Sequence, residues 1–411
     1  MRITISSPDG LGDFILRIPM IRALEDAGHQ LQLFLRQPAA ALADEVLSGI
    51  ELHEIASDPN LEITRRKRNP FHAEHALIRK FQPDLYVAAL FALNFFDEIW
   101  LENNGGLVPA AGFTTLEAFR PSGTIGDPAK LASNFQIKVE VPAGLPELEK
   151  NRLLGSAILG IELPLISPQI TPGIAAMEEA RSLLLRHGLE EGGYWVACVG
   201  GRSGLRMKDW GENNWKEFFT SIMPADGRPL LFLGNTKEWE SIERISSEKY
   251  SSLNLAGAPP PIPISLSLLS MSCGYVGRDS GVMHMAAALG KPLLAAYGGG
   301  YWGRFLPSSG PAIAVTQAMS CRMCDFSCPH EQPHCITGIR METMRSAWER
   351  LPMTNGVEIM EQGINPLMDS VSSEKARAFT MTAEKARRER SSALRSEGII
   401  SRFLRKRFGV H

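Results

Sequence analysis

Three short stretches carry side chains that could do chemistry together. In RDSGVMHMAAALGKPLLAAYG (Arg278 to Gly298), Asp279, Ser280, Gly281 and His284 crowd the point where a β-rich run gives way to an apolar helical one. The first backbone N–H groups of a helix have no partners and carry the positive end of its dipole, so such a junction binds anions. Ser280 can cap the helix or reach a phosphate oxygen, Gly281 lets a ligand approach the backbone, and His284 lies one turn further on. Asp279 would repel a phosphate and suits a hydroxyl or backbone donor instead. The plainer alternative is that Asp279 and Ser280 only cap a buried helix and His284 belongs to the core. In GGRSGLRMKDW, Arg202, Ser203, Arg206 and Lys208 sit in a glycine-bearing loop after a strand, a composition suited to clamping phosphates, or else a solvated basic loop. In SSPDGLGDF, Asp13 follows the first strand with Gly10 and Gly12 beside it and Asp9 as a rival carboxylate; it could equally cap a helix starting at Phe14.

A fourth cluster is made of thiols. Cys321, Cys324, Cys328 and Cys335 follow a C-x2-C-x3-C-x6-C pattern with His330 and His334 interspersed. Four thiolates satisfy the ligand count of a closed tetrahedral zinc or iron site, and packing or disulfides are the alternatives. Cys198 and Cys273 stand in apolar strand contexts and read as ordinary core residues.

The elements that must position these groups alternate. RITISS predicts a strand and the run from Phe14 to Leu24 a helix stopped at Gly28; LQLFLR, AAALADEVLSG, ELHEIA, HALIRKF and DLYVAAL continue the strand–helix alternation. From Gln136 to Pro172 the chain becomes proline-rich around one helix and reads as a crossing between domains. The alternation then restarts with YWVACVG, NWKEFFTSI, PLLFLG, KEWESIERIS, GYVGRDS, MHMAAALG and PLLAAYG. This pattern predicts an α/β protein of two doubly wound Rossmann-like domains facing one another across a cleft. The expected divisions are 1–170, 171–360 with the cysteine segment 321–335, and a tail 361–411.

With 411 residues, 44% hydrophobic and 21% charged, the chain has the make-up of a globular protein. Its formal net charge of −2 argues against nucleic-acid binding through overall basicity. The first residues read directly as a strand, with no leader and no apolar run of about eighteen residues, so a cytoplasmic location is expected, with thiols kept reduced. From Val371 to His411, eleven Lys or Arg face four Glu, so the tail carries 11 − 4 = +7 and the remainder −9. There Ile399, Ile400, Phe403, Leu404 and Phe408 interleave with Arg402, Arg405, Lys406 and Arg407. An amphipathic basic helix on the inner, anionic face of the plasma membrane fits that pattern, as does a solvated tail or a helix closing over the N-terminal domain.

Taken together, DSGVMHMAAALGKPLLAAYG, GLGDFILRIPMIRALE, WVACVGGRSGLRMKDWGENNWKEF and CRMCDFSCPHEQPHCITGI resemble, in order and over residues 1 to about 350, segments of glycosyltransferase family 9, the ADP-heptose–lipopolysaccharide heptosyltransferases and their relatives. The resemblance implies a GT-B fold, acceptor on the N-terminal domain and nucleotide-sugar on the C-terminal one, and inverting transfer without an essential metal. It further implies Asp13 as the base that deprotonates the acceptor. Arg202, Ser203, Lys208, Ser280, Gly281 and His284 would lie around the donor diphosphate, and Asp279 near the sugar or ribose. Glu238 or Glu240 would meet the ribose. Gly12 and Arg17 stand on the acceptor side; the basic cluster Arg65, Arg66, Lys67 and Arg68 could meet an acidic glycan or lipid phosphates there, or simply be a solvated loop. The donor would be a nucleotide-diphosphate sugar such as ADP-heptose, and the acceptor a lipid-linked or surface glycan. The chain departs from the family in two places. Val282 replaces a proline, and YGGGYWGRF, with Tyr301, Trp302 and Arg304, replaces an FG tract near the sugar. A nucleotide-sugar epimerase of similar fold and an inactive scaffold relative are the alternatives. A dinucleotide-dependent dehydrogenase is disfavoured, because SSPDGLGD is no G-x-G-x-x-G turn.

Overall fold

A computed structural model describes residues 1–58, 69–104, 106–115, 128–200, 206–324, 328–365 and 369. Arg65 to Arg68, Arg202, Ser203 and the whole tail from Val371 lie outside the described residues. The chain divides into two compact units between Pro168 and Gln169.

In the first unit, β1 (Arg2–Ser7), β2 (Gln30–Leu35), β3 (Glu51–Glu54), β4 (Leu85–Ala88), β5 (Ala110–Phe113) and β6 (Phe135–Val139) form a parallel sheet in the order β3-β2-β1-β4-β5-β6. Central β1 pairs Ile5 with Leu33 on one side and Val87 on the other. Its residues Ile3 to Ser7 are all buried, as expected for a parallel strand covered on both faces. The order of strands reverses between β1 and β4, and that switch point is where open α/β sheets place their ligand crevice.

The second unit repeats the plan. β7 (Trp195–Cys198), β8 (Leu230–Phe232), β9 (Ser252–Asn254), β10 (Gly274–Arg278), β11 (Leu293–Ala296), β12 (Ala312–Gln317) and β13 (Val357–Gln362) run β13-β12-β11-β10-β7-β8-β9, all parallel. Its switch point lies between β7 and β10. Trp210, Trp215, Phe218 and Phe219 fill one side of the sheet, with Trp210 and Trp215 edge to face at 4.9 Å.

The segment read from sequence as a crossing, 136–172, is only partly one. Its start is the last strand of the first sheet, Phe135–Val139, and its helix, Glu147–Leu159, packs on the Leu11–Asp26 helix of the same unit. The stretches between Val139 and Glu147 and between Leu159 and Ile174 lack regular structure, and only the second leads into the other unit. The periodicity of the helix was legible, but its partner was not, since 134 residues separate Asn151 from Arg17.

Beside β4 a carboxyl is held inside the first unit. Asp97 is fully buried, accepts from the Tyr86 hydroxyl at 2.6 Å and takes a further bond from Asn94. Burial pushes its pKa up to about 6, against those bonds. A folded-state value raised from 3.8 favours folding at low pH and is lost as pH rises through about 6. Relative to Asp97→Asn, the parent is expected to lose about 2 kcal/mol of stability between pH 4 and pH 7; denaturant melts of both proteins across that range check it, and parallel curves refute it.

Candidate active site

The second unit gathers most of the donor-side residues at the carboxyl ends of β7 and β10. Beyond β7 a single 3-10 turn, Arg206–Lys208, leads to Trp210. Trp210 is almost wholly buried, and its Nε1 donates to the Ile339 carbonyl at 2.9 Å. On the other side, Met207 is buried, and its carbonyl oxygen lies against Gly298, where a Cβ would come within 1.9 Å. Only glycine leaves room for that approach. Pinned from both sides, the turn directs Lys208 Nζ onto Asp279 Oδ2 at 2.7 Å.

Asp279 follows β10 directly, and its N–H still donates to the Ala296 carbonyl of β11. Ser280 is the N-cap of the Gly281–Ala288 helix, its Oγ accepting from Met283 N at 3.3 Å. The Tyr275 hydroxyl braces the turn from below, donating to the Arg278 carbonyl at 2.6 Å and lying 3.2 Å from Ser280 Oγ. His284 Nε2 is 3.9 Å from Asp279 Oδ1, and burial pushes the imidazole down to about 4, so it is neutral at pH 7. His284 Nδ1 and Arg278 Nε are buried with no hydrogen-bond partner among the described residues. Both stand at the carboxyl end of β10, the end of a parallel sheet at which open α/β folds take their ligands.

Glu238 is also buried. It closes a capping box with Asn235, its Oε2 accepting from Asn235 N at 2.8 Å, and its side chain packs over Gly200 at the end of β7. Glu240, the other candidate, has an exposed side chain that approaches Arg244 at 3.9 Å.

The first unit places Asp13 in the first turn of the Leu11–Asp26 helix, whose N-cap is Gly10 with no side-chain cap. The helix therefore starts at Leu11, before Phe14, and Asp13 does not cap it. Its carboxylate folds back over the turn: a Cβ on Gly10 would sit 3.2 Å from Asp13 Oδ2. Gly12 is half-buried in the same turn. Asp9 is committed elsewhere, since Arg17 grips both of its oxygens, Nη1 to Oδ1 at 3.0 Å and Nη2 to Oδ2 at 2.7 Å. Arg17 itself is 1% exposed, so the structure places it as an interior residue and not on the acceptor surface. A charged residue at helical spacing looks like a surface group in sequence. Burial became tolerable through partners from β1, β4 and a helix that sequence could not bring together.

A family model for glycosyltransferase family 9 (heptosyltransferase) matches residues 103–332, more than half of the chain. The chain belongs to glycosyltransferase family 9. Solved structures of similar fold include ADP-heptose lps heptosyltransferase II of E. coli, with a TM-score of 0.60, 16% identity, and coverage of 86% of this chain and 99% of that one. A family 9 glycosyl transferase from Veillonella parvula gives 0.62 at 14% identity, covering 86% and 97%. E. coli heptosyltransferase WaaC with ADP gives 0.55 at 16%, covering 86% and 100%. No curated protein sequence matched the chain. The two parallel sheets are thus the two Rossmann-like domains of a GT-B glycosyltransferase.

Where this family 9 member departs from the sequence pattern, the structure supplies an aromatic tract. The Arg304 guanidinium lies over Tyr301 at 4.4 Å and Phe305 at 5.2 Å, and Phe305 stands edge-on to His284 at 6.5 Å. Trp302 lies under Arg322 at 4.1 Å. Phe305 and Tyr275 escaped the sequence reading, because an aromatic in an apolar run carries no local sign of what it will touch.

The four cysteines come together around one small cavity. Cys321, Cys324, Cys328 and Cys335 line one small cavity with His330, His334, Met207 and Arg322, and all are free. Among the described residues, however, no group of three or more His, Cys, Asp or Glu is arranged to hold a metal ion. Burial pushes the Cys321 thiol up to about 12 and Cys335 up to about 11, which keeps them protonated. In this arrangement Cys321 and Cys335 pack with Met319 in a small buried cluster of their own. Cys324 Sγ meets Met207 Sδ at 3.5 Å, so this core backs the Lys208 turn.

Lys208→Met should leave the Asp279 carboxylate largely buried and unmatched, costing about 1–3 kcal/mol, with much of the loss recovered in Lys208→Met/Asp279→Asn. Thermal denaturation of the two single variants and the double variant measures the coupling; additive losses would mean that the ion pair contributes nothing.

Proposed function

We propose that the protein moves a heptose-like sugar from a nucleotide-diphosphate donor, ADP-heptose, to a lipopolysaccharide core or another surface glycan, with inversion at the anomeric carbon. The observation that carries this is the Lys208–Asp279–His284 group at the switch point of the second domain, in a chain of family 9. The ammonium of Lys208 and the backbone amides of the Gly281–Ala288 helix suit a diphosphate. The neutral imidazole of His284, with an unmatched Nδ1, suits a hydrogen bond to the donor and not a second positive charge. Relatives of the same fold are described as an ADP-heptose lps heptosyltransferase and as a heptosyltransferase with ADP, which favours adenine as the base and heptose as the sugar.

In the reaction, Asp13 takes the proton of the acceptor hydroxyl as its oxygen attacks the anomeric carbon. The bond from that carbon to the diphosphate oxygen breaks, and the departing nucleoside diphosphate keeps the electron pair, its charge held by Lys208 and the helix N-terminus. Gly12 leaves the Asp13 turn open to the acceptor, and Glu238, fixed by its capping box, faces the ribose. Tyr301, Arg304 and Phe305 wall the sugar side next to His284.

The acceptor explains the charge distribution of the chain. A lipid-linked glycan is reached at an anionic membrane surface, and the tail from Val371 to His411, with its +7 balance, supplies the matching charge. Among the described residues no helix is long and apolar enough to cross a membrane.

Asp13→Asn is expected to lower transfer by about 100-fold or more while ADP binding, measured by calorimetry, changes little. Release of ADP only when acceptor is present distinguishes transfer from epimerisation or hydrolysis, and an active Asp13→Asn enzyme would end this assignment of the base. A protein truncated after Asp369 should lose co-sedimentation with phosphatidylglycerol vesicles that the full chain shows at low salt. Equal binding by both would remove the tail from the account.

A further inference from the structure

Arg17 is more than a buried charge. All five of its N–H groups are used: Nε donates to Asn151 Oδ1 at 3.2 Å, Nη1 to Ser7 Oγ and Asp9 Oδ1, and Nη2 to Asp9 Oδ2 and the Ala89 carbonyl. Four pieces of the first domain converge on it, namely the end of β1, the Asp9 turn, the chain just past β4 and the Glu147–Leu159 helix. Asn151 completes the link by donating from Nδ2 to the Leu16 carbonyl at 3.3 Å. The planar fork of arginine alone can meet this many fixed acceptors at once.

Asp13 and Arg17 are four residues apart on one helix, which puts them on the same face. The Asp13 carboxylate is close enough for its charge to act on the guanidinium. Asp9 neutralises that guanidinium from the other side. Among the described residues, other ionisable groups whose charges bear on the pair include Glu147, which acts on Arg17 from the Glu147–Leu159 helix and is itself paired with Lys150 at 2.6 Å, and Asp97, which interacts with Asp9 and accepts from Tyr86.

We propose that the Asp9–Arg17 pair, braced by Asn151, is the positioning unit of Asp13: it fixes the Ser7–Gly12 turn and sets the field in which the Asp13 carboxylate accepts its proton. This rests on the assignment of Asp13 as the base. Single substitutions in the pair disturb the field with opposite signs. Loss of the Arg17 charge leaves Asp9 as an unbalanced anion and makes Asp13 harder to ionise. Loss of the Asp9 charge leaves an unbalanced cation and makes it easier.

The test reads Asp13 directly. The full-length protein is labelled with a water-soluble carbodiimide and an amine across a pH series, and fragment ions of the Ile3–Arg17 region give the apparent pKa of Asp13 apart from Asp9. Arg17→Gln should raise it by about 1 unit or more, Asp9→Asn should lower it, and the double variant should return close to the parent. Arg17→Lys keeps the charge without the fork, so its Asp13 titration should stay near the parent while kcat for transfer from ADP-heptose to a lipopolysaccharide core falls with KM little changed. Unchanged titration in the single variants, or a shift of the same sign in both, overturns the proposal. If Arg17→Gln does not fold by circular dichroism, Asp9→Asn and Arg17→Lys decide alone. Full transfer by Asp13→Asn alongside opposite shifts would remove the base assignment and leave the control of its carboxylate by the pair standing.

Discussion

Parallel strands covered by helices on both faces leave only their ends free to meet a ligand, and everything at the site follows from that restriction. In both domains the strand order reverses beside the first strand, between β1 and β4 and between β7 and β10. The two neighbouring connections there leave in opposite directions and open a gap at the carboxyl ends. Asp9, Asp13 and the Ala89 carbonyl stand at that gap in one domain. Lys208 and Asp279 stand at it in the other. Chemistry-bearing residues scattered from position 9 to position 284 are thus delivered to equivalent places by one repeated topology.

The charges at the two gaps are treated differently. In the first domain every N–H of Arg17 has a partner, and Asp9 is held at both oxygens, so the network is closed. A closed buried network fixes geometry and leaves nothing to bind with. In the second domain the Lys208–Asp279 pair is accompanied by buried polar atoms on His284 and Arg278 that have no partner among the described residues. Unmatched polar groups are costly unless something else completes them. The first network is complete in itself, whereas the second leaves buried polar atoms unmatched among the described residues.

The cysteine segment shows how far spacing alone can be pressed. Four cysteines within fifteen residues have the count of a metal site, yet side-chain direction decides whether sulfurs converge on a point or merely share a wall. Here they share a wall with Met207 and Arg322 behind the Lys208 turn. The aromatic tract from Tyr301 to Phe305 works alongside them, one packing on His284 and the other on Met207.

Much of this was legible in the chain itself. Runs such as RITISS, DLYVAAL and PLLAAYG announce buried parallel strands, the helices between them follow from apolar spacing, and the alternation gives two doubly wound domains. The GLGD turn, the lysine before Trp210 and the DSG helix start were visible because turns and helix starts are local, set by a few neighbouring residues. Tertiary structure alone decided the rest. That Arg17 lies inside and not on the acceptor surface, that Asp279 takes Lys208, that Asn151 braces a turn 134 residues away, and that the cysteines line one cavity with Met207 all depend on contacts between distant segments. Periodicity says which face of an element is apolar. It does not say which neighbour that face will meet, and the state of a buried charge is set entirely by that neighbour.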